Sequence, residues 1–284
     1  MNDSQSLPRV DYDLVVLGGG SAGMAGAFRA AAHGARVALL EPHALGGTCV
    51  NVGCVPKKAM WLAADLATKM TMAADLGFDV ERPQLDWPTF ITHRERYIAN
   101  VHVSYRKRMD EAGIALMPCR GHLEDAHTVR TSTGVRLRAG RVLIATGARA
   151  QRPALPGAEL GLVSDDFFDL RRAPQRVALV GGGYIGVELA GVLQALGSHV
   201  SMFVRGPRLL QAFDAELAIQ LGEDMRQHGV RLHFDHQLQA LEQAGGGRVR
   251  LRHKTPSPDA AAEGDGFGAV LFATGPRASR PRVR

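Results

Sequence analysis

One order of apolar and polar positions occurs twice along the chain. A short apolar run, Asp13 to Leu17, meets Gly18-Gly19-Gly20-Ser21-Ala22-Gly23 and then an alanine-rich stretch with helical spacing to Ala32. Gly34 turns the chain into a second apolar run, Arg36 to Leu40, which stops at Glu41. The series returns as Val177 to Val180, Gly181-Gly182-Gly183-Tyr184-Ile185-Gly186, a helical stretch to Leu196, Gly197, and His199 to Val204. The interval from Gly18 to Gly34 equals that from Gly181 to Gly197. Each series also closes on a similar strand, Val142 to Gly147 and Val270 to Gly275. Strands alternating with helices in this way predict parallel sheets.

Between the two series, Lys57 to Asp75 and Thr89 to Ala112 have helical spacing. Residues 114–141 read as short strands with turns, one of them at Thr133-Gly134. Pro153 and Pro156 mark a linker. Residues 244–268 are rich in Gly, Ala, Asp and Pro, which predicts a hairpin with a long flexible tip. From Gly275 to Arg284 no apolar pattern remains.

The glycine spacing gives the duplicated turns a chemistry. In each, the first glycine (Gly18, Gly181) permits a tight turn, and the second (Gly20, Gly183) lets backbone N–H groups approach a pyrophosphate. The third (Gly23, Gly186) lets helix and strand pack closely. The helix start then presents partial positive charge to the phosphates. The expected fold class is therefore α/β, with two Rossmann-like nucleotide-binding domains, each carrying a parallel sheet and a β-meander. Domains are expected over residues 1–160 and 161–284. Glu41 ends the second strand of the first series, where a carboxylate accepts from ribose hydroxyls. Its equivalent in the second series is Val204, followed by Arg205, whose guanidinium fork suits a 2′-phosphate, with Arg208 in reach to assist. The first site thus suits an unphosphorylated ribose, as in FAD, and the second suits NADPH.

Charge and composition narrow the classes. A net charge of +6 comes from scattered arginines, with no basic stripe interleaved with aromatics, so nucleic acid is not the expected partner. The start is polar and no run reaches membrane-spanning length, so neither a signal peptide nor a membrane span is expected. Three cysteines do not make a secreted disulfide scaffold. The expected setting is the cytoplasm.

Two of those cysteines, Cys49 and Cys54, lie in the glycine-flanked string Gly-Gly-Thr-Cys-Val-Asn-Val-Gly-Cys-Val-Pro-Lys-Lys. A pair so close can cycle between dithiol and disulfide, one thiolate attacking a substrate disulfide and the other resolving the mixed disulfide. The other readings of the pair are a metal clip and two inert core residues. A clip needs further ligands at suitable spacing, none stands nearby, and no metal is expected. Cys119 reads as a buried apolar residue.

The string GGTCVNVGCVPKK, preceded by GGGSAG and followed by GYIGVELAG, resembles the pyridine nucleotide–disulfide oxidoreductases, and within them the glutathione reductases. The likeness runs from about Tyr12 to Gly275 and includes Arg-Tyr-Ile at 96–98, Ser104-Tyr105 and Ser164-Asp165-Asp166-Phe167-Phe168. Dihydrolipoamide dehydrogenases and mercuric reductases usually carry serine where Lys57 stands. The resemblance implies reduction of glutathione disulfide by NADPH through FAD and the Cys49–Cys54 disulfide. Cys49 would be the interchange thiol and Cys54 the charge-transfer thiol beside the flavin. Lys57 would lie near the flavin N5 and pair with Glu188, and Tyr184 would cover the nicotinamide pocket. Ser21, Ala22, Glu41, Thr48 and Gly121 would contact FAD, with Thr146 and Gly147 among the cofactor residues. Gly182, Ile185, Glu188, Arg205 and Gly275 would line the NADPH site. Tyr105 and Ser21 would meet the substrate.

Four departures qualify this. Gln211 stands where a second arginine often grips the 2′-phosphate. Phe28 replaces an arginine that some members place near glutathione. Ala25 is neutral where trypanothione reductases are acidic. The chain also lacks the continuation that, in the family, completes the FAD site and supplies a homodimer interface carrying a His-Glu acid–base pair. None of the eleven histidines takes that role by sequence. A C-terminal dimerisation domain is thus expected to be absent, which keeps a non-catalytic nucleotide-binding remnant, or a reductase of another disulfide, as the rival readings.

Overall fold

The computed structural model describes residues 11–79, 84–254 and 266–278. They divide into two units, the first holding residues 11–55, 95–149 and 278, the second residues 56–79, 84–94, 150–254 and 266–277. In the first, β1 (Tyr12–Leu17), α1 (Ser21–Ala32) and β2 (Val37–Leu40) lead into α2 (Gly47–Val52) and the first residues of α3 (Cys54–Asp75). The later part of α4 (Trp87–Glu111) and four strands, β3 (Ala115–Met117), β4 (Gly121–Leu123), β5 (Thr128–Thr131) and β6 (Arg136–Ile144), follow, with β7 (Ala148–Ala150) after them. One sheet orders these strands β3-β2-β1-β6-β5-β4, parallel from β3 to β6 and antiparallel from β6 to β4.

The apolar runs are continuous because both sheet faces are covered. Val15 and Leu17 enter one cluster with Ala38, Leu40, Val129 and Leu137, so the antiparallel strands supply that face. Val16, one step out of phase, enters another with Met24, Ala27, Leu39 and Met109 from α1, β2 and α4. Leu39 and Leu40 are almost wholly buried on opposite faces, and truncating either to alanine costs about 2–5 kcal/mol.

The second unit opens with β8 (Leu162–Val163), α5 (Ser164–Phe168), β9 (Arg176–Val180), α6 (Tyr184–Ala195) and β10 (His199–Phe203). It continues with α7 (Ala215–Gln227), β11 (Arg231–His233), the hairpin β12 (Leu238–Ala244) and β13 (Arg248–His253), and β14 (Ala269–Phe272). Its parallel sheet runs β11-β10-β9-β14-β8. Ala178, Val180, Phe203, Val270 and Phe272 pack on Leu241 and Val249 of the hairpin. Leu189, Ala190, Val192 and Leu193 of α6 are buried, and that helix contacts β9 and β10. No described helix is long and apolar enough to cross a membrane.

Three local expectations change. The strand expected from Val142 begins at Arg136, because one nine-residue strand serves both the meander and the parallel sheet. The helix expected from Lys57 begins at Cys54; Pro56 is tolerated because first-turn N–H groups lack intrahelical acceptors. The hairpin expected across 244–268 turns at Gly245–Gly247, where two glycines with positive φ (71° and 72°) close it tightly. Residues 255–265 of that stretch, together with 1–10 and 279–284, lie outside the described residues.

Candidate active site

The two glycine turns have matching geometry. Gly18 and Gly181 have φ of 108° and 126°, and a Cβ on either would collide with the carbonyl of Ala145 or Ala273 in the closing strand. A Cβ on Gly23 or Gly186 would strike the carbonyl of Gly18 or Gly181, so only glycine lets α1 and α6 start this close to their strands. The middle positions differ from these. A Cβ on Gly183 would meet nothing within 4 Å, and one on Gly20 only the Gly47 Cα at 3.7 Å. Each turn is therefore a concave backbone cradle at a helix start, with space where the middle glycine lacks a side chain, and this fits a dinucleotide pyrophosphate. Ser21 and Ala22 are exposed at the start of α1, and Tyr184 and the half-buried Ile185 begin α6.

Glu41 closes β2 with both carboxylate oxygens engaged: Gly19 N donates to Oε2 at 2.8 Å and His43 N to Oε1 at 2.9 Å. The carboxylate is thereby fixed beside the first glycine turn. Gly121 packs in β4 against Leu17 and Leu40, and the exposed Thr146 and Gly147 follow β6.

The cysteine segment is fastened to that same turn. Gly46 N donates to Gly19 O at 2.8 Å, and Gly46 pairs with Gly20 in an isolated parallel bridge. A Cβ on Gly47 would lie 2.8 Å from the Gly20 Cα, so the approach requires glycine on this side. From there α2 carries the exposed Thr48 and the half-buried Cys49, whose thiol is free. Gly53 breaks α2 from α3; a Cβ there would meet the Thr48 carbonyl oxygen at 2.8 Å. Cys54 is exposed as the first residue of the 22-residue α3 and so belongs to the positive end of that helix. Cys119 is buried in the sheet core, and burial raises its thiol pKa above the usual 9.0.

Residues that the sequence pattern did not single out hold this segment. Asn51 Nδ2 donates to the carbonyls of Gly47 at 2.8 Å and Leu45 at 3.1 Å, and its Oδ1 meets His102 Nε2 from α4 at 2.8 Å. Tyr105, one turn on from His102, is half-buried against the α1 side of the core. Phe28, found in place of an arginine, carries the Arg108 guanidinium 4.8 Å above its ring, so a cation stands here after all.

In the second unit, Lys57 Nζ and Glu188 Oε1 form a 2.6 Å ion pair between α3 and α6, the pairing the resemblance implied. A cleft of about 700 Å³ opens over the second glycine turn and is lined by Tyr184, Arg205, Arg208, Gln211, His236 and Gly275, among others. Arg205 is exposed there. Arg208, expected to assist it, donates instead to backbone: Nη1 to Leu210 O at 3.1 Å and Nη2 to Gln211 O at 2.9 Å. It shapes the loop that holds Leu210 at a φ of 46°. The Gln211 amide lies over Gly206, filling the space a side chain there would need.

Below this cleft, Phe203 is stacked by His233 at 4.7 Å and by His253 at 4.9 Å, with His236 edge-on at 5.8 Å. Burial, and then His233, lower the His236 pKa, while Asp235 opposes them. Nothing in the sequence spacing announced this cluster, because its members come from three separate segments, at 203, 233–236 and 253.

Known proteins resemble this chain in sequence and in fold. A glutathione reductase of Nostoc sp. is 39% identical over 252 residues, 87% of this chain and 54% of its own length. One from Yarrowia lipolytica is 44% identical over 216 residues, 72% of this chain and 46% of its own. The chain spans about half the length of the curated relatives it matches. In fold it is similar to an HOCl-induced flavoprotein disulfide reductase, RclA, from Escherichia coli, with a TM-score of 0.80 and 22% identity over 96% of this chain and 58% of that one. The family model for pyridine nucleotide-disulphide oxidoreductases matches residues 12–283, so the chain belongs to that family, and membership implies FAD and NAD(P)H as its cofactors.

Proposed function

We propose that this chain carries the nucleotide-binding and dithiol machinery of a flavin-dependent disulfide reductase whose substrate is glutathione disulfide. The observation that carries the reading is the glycine-to-glycine approach of the Cys49 segment to the first dinucleotide turn, where Gly47 meets Gly20. A redox pair held against a nucleotide cradle can exchange electrons with whatever that cradle binds.

When bound, FAD and NADPH supply the electron pair that restores the dithiol. In the first unit, Gly18, Gly20, Gly23, Ser21 and Ala22 would receive the FAD pyrophosphate, and Glu41 would accept from its ribose. Thr48, Gly121, Thr146 and Gly147 would complete the contacts. In the second, Gly181 to Gly186 and Gly275 would receive the NADPH pyrophosphate, and Arg205 would take the 2′-phosphate. Arg208 would hold the loop around it. Lys57, fixed by Glu188, would present its ammonium to the flavin edge, and Tyr184 would cover the nicotinamide.

The Cys49 thiolate attacks one sulfur of glutathione disulfide, forms the mixed disulfide and releases one glutathione thiolate. The Cys54 thiolate attacks Cys49 Sγ, expels the second glutathione and leaves the Cys49–Cys54 bond. Two electrons then regenerate the dithiol, and two protons are taken up by the departing thiolates. Tyr105 and Ser21 would flank the substrate, and the Arg108 cation over Phe28 would attract its carboxylates. The expected setting is a reducing cytoplasm, with a homodimer formed through sequence that the longer relatives carry.

Substrate choice is tested with a panel of small disulfides in the FAD-loaded chain. NADPH oxidation should be fastest with glutathione disulfide and absent in Cys49→Ser. Equal rates with every disulfide would remove the glutathione assignment, and rates unaffected by Cys49→Ser would remove the dithiol.

A further inference from the structure

We propose that His102 is a positioning residue for the redox segment, acting through Asn51 to hold Cys49 and Cys54 in the arrangement from which their disulfide closes. The inference rests on the reversible-dithiol reading and adds to it a residue outside the cysteine string.

Asn51 lies between the two cysteines in sequence. Its Nδ2 is committed to the carbonyls of Leu45 and Gly47. The amide orientation is therefore settled, and Oδ1, 2.8 Å from His102 Nε2, must accept. His102 Nε2 thus carries hydrogen and donates. That bond joins α2 to α4 across 51 residues of sequence. Burial and then Arg106 lower the His102 pKa from 6.5, while the Leu45 carbonyl, which favours the protonated ring, opposes them. The neutral, Nε2-protonated ring is the form these surroundings favour at neutral pH.

The consequence follows from where the restraint acts. Ring closure removes freedom from residues 49–54 of the dithiol. A dithiol already held by Asn51 and His102 has less freedom to lose, so the effective concentration of one thiol at the other is higher. Loss of the His102 donor leaves the disulfide chemically unchanged but loosens the dithiol, which weakens disulfide formation. A part-buried hydrogen bond between neutral groups has a net worth of roughly a factor of 3–10 in an equilibrium constant.

The test needs no cofactor. The full chain is equilibrated in glutathione redox buffers, where the two thiols plus one glutathione disulfide exchange with the protein disulfide plus two glutathiones. Alkylation and peptide mass then report Cys49 and Cys54 separately from Cys119. His102→Leu should lower the constant for disulfide formation about three- to tenfold. His102→Gln, whose amide N–H can reach the same oxygen, should return it to within about twofold of wild type. If His102→Leu does not fold by circular dichroism, His102→Ala, which removes the same donor and leaves the Asn51 bonds to Leu45 and Gly47 in place, must show the same fall. A wild-type constant in the variant lacking the bond, or a His102→Gln value as low as His102→Leu, overturns the proposal. A wild-type pair that forms no disulfide at any glutathione ratio is a different result, overturning the dithiol reading beneath it.

Discussion

Lys57 Nζ lies 2.6 Å from Glu188 Oε1, joining the N-terminal parts of two helices through residues 131 apart in sequence. The Glu188 side chain keeps 43% of its exposure and that of Lys57 26%, so water screens the pair and its contribution to stability is at most about 1 kcal/mol. Its value is geometric: the carboxylate fixes where the ammonium points. Glu188→Ala should therefore leave thermal unfolding almost unchanged and lower NADPH-driven turnover by about tenfold or more. Parallel melting curves and steady-state rates separate the two effects.

The junction of Gly47 with Gly20 makes a sharper demand. Gly47 has a φ of 57°, and an added Cβ would sit 2.8 Å from the Gly20 Cα. Gly47→Ala should cost about 1–3 kcal/mol through backbone strain and displaced packing. It should also weaken FAD retention, because the displaced neighbour is the middle glycine of the cradle. Chemical denaturation and flavin fluorescence on dilution measure the two losses.

Arg205 and Arg208 should fail in different ways. Arg205 is exposed in the cleft, so Arg205→Leu should raise the KM for NADPH about tenfold or more with little change for NADH. Arg208 bonds the carbonyls of its own loop, so Arg208→Leu should raise both KM values together. Initial-rate measurements with each dinucleotide distinguish a phosphate contact from a loop fastening.

The chain should be most stable between mildly acidic and mildly alkaline pH. His102 and His236 have folded pKa values below 6.5, so the unfolded chain binds more protons as pH falls from about 6.5, and stability is lost in that direction. Cys119 has a folded pKa above 9.0, so the folded chain holds its proton longer and stability is lost again as pH rises through that region. Urea midpoints from pH 5 to 10 should trace a plateau that falls at both ends. Replacing His236 with Phe should reduce the acidic fall.

The glycine turns were legible because their function depends on spacing along one short segment. Gly18 makes the tight turn and Gly23 the close helix–strand approach that their order implied, and Gly181 and Gly186 repeat them. The β-strands were legible for the same reason, since Val15 and Val16 on opposite faces produce a continuous apolar run. Three features were not legible. The Asn51–His102 bond joins distant segments, and neither residue belongs to a periodic pattern. The histidines around Phe203 meet only after β10, β11 and β13 assemble. Arg208 reads identically in sequence whether its guanidinium meets phosphate or backbone carbonyls, and only the fold of residues 207–213 decides.

The central claim is that electrons from a nicotinamide cofactor reach the Cys49–Cys54 pair through this chain. The most direct measurement starts from the FAD-loaded chain with the pair oxidised. NADPH is added without a disulfide substrate, and alkylation followed by peptide mass counts the thiols at Cys49 and Cys54. The account predicts that both become alkylated together, in step with NADPH consumed, and that FAD-depleted chain leaves them oxidised. Consumption of NADPH with the pair still oxidised would contradict it.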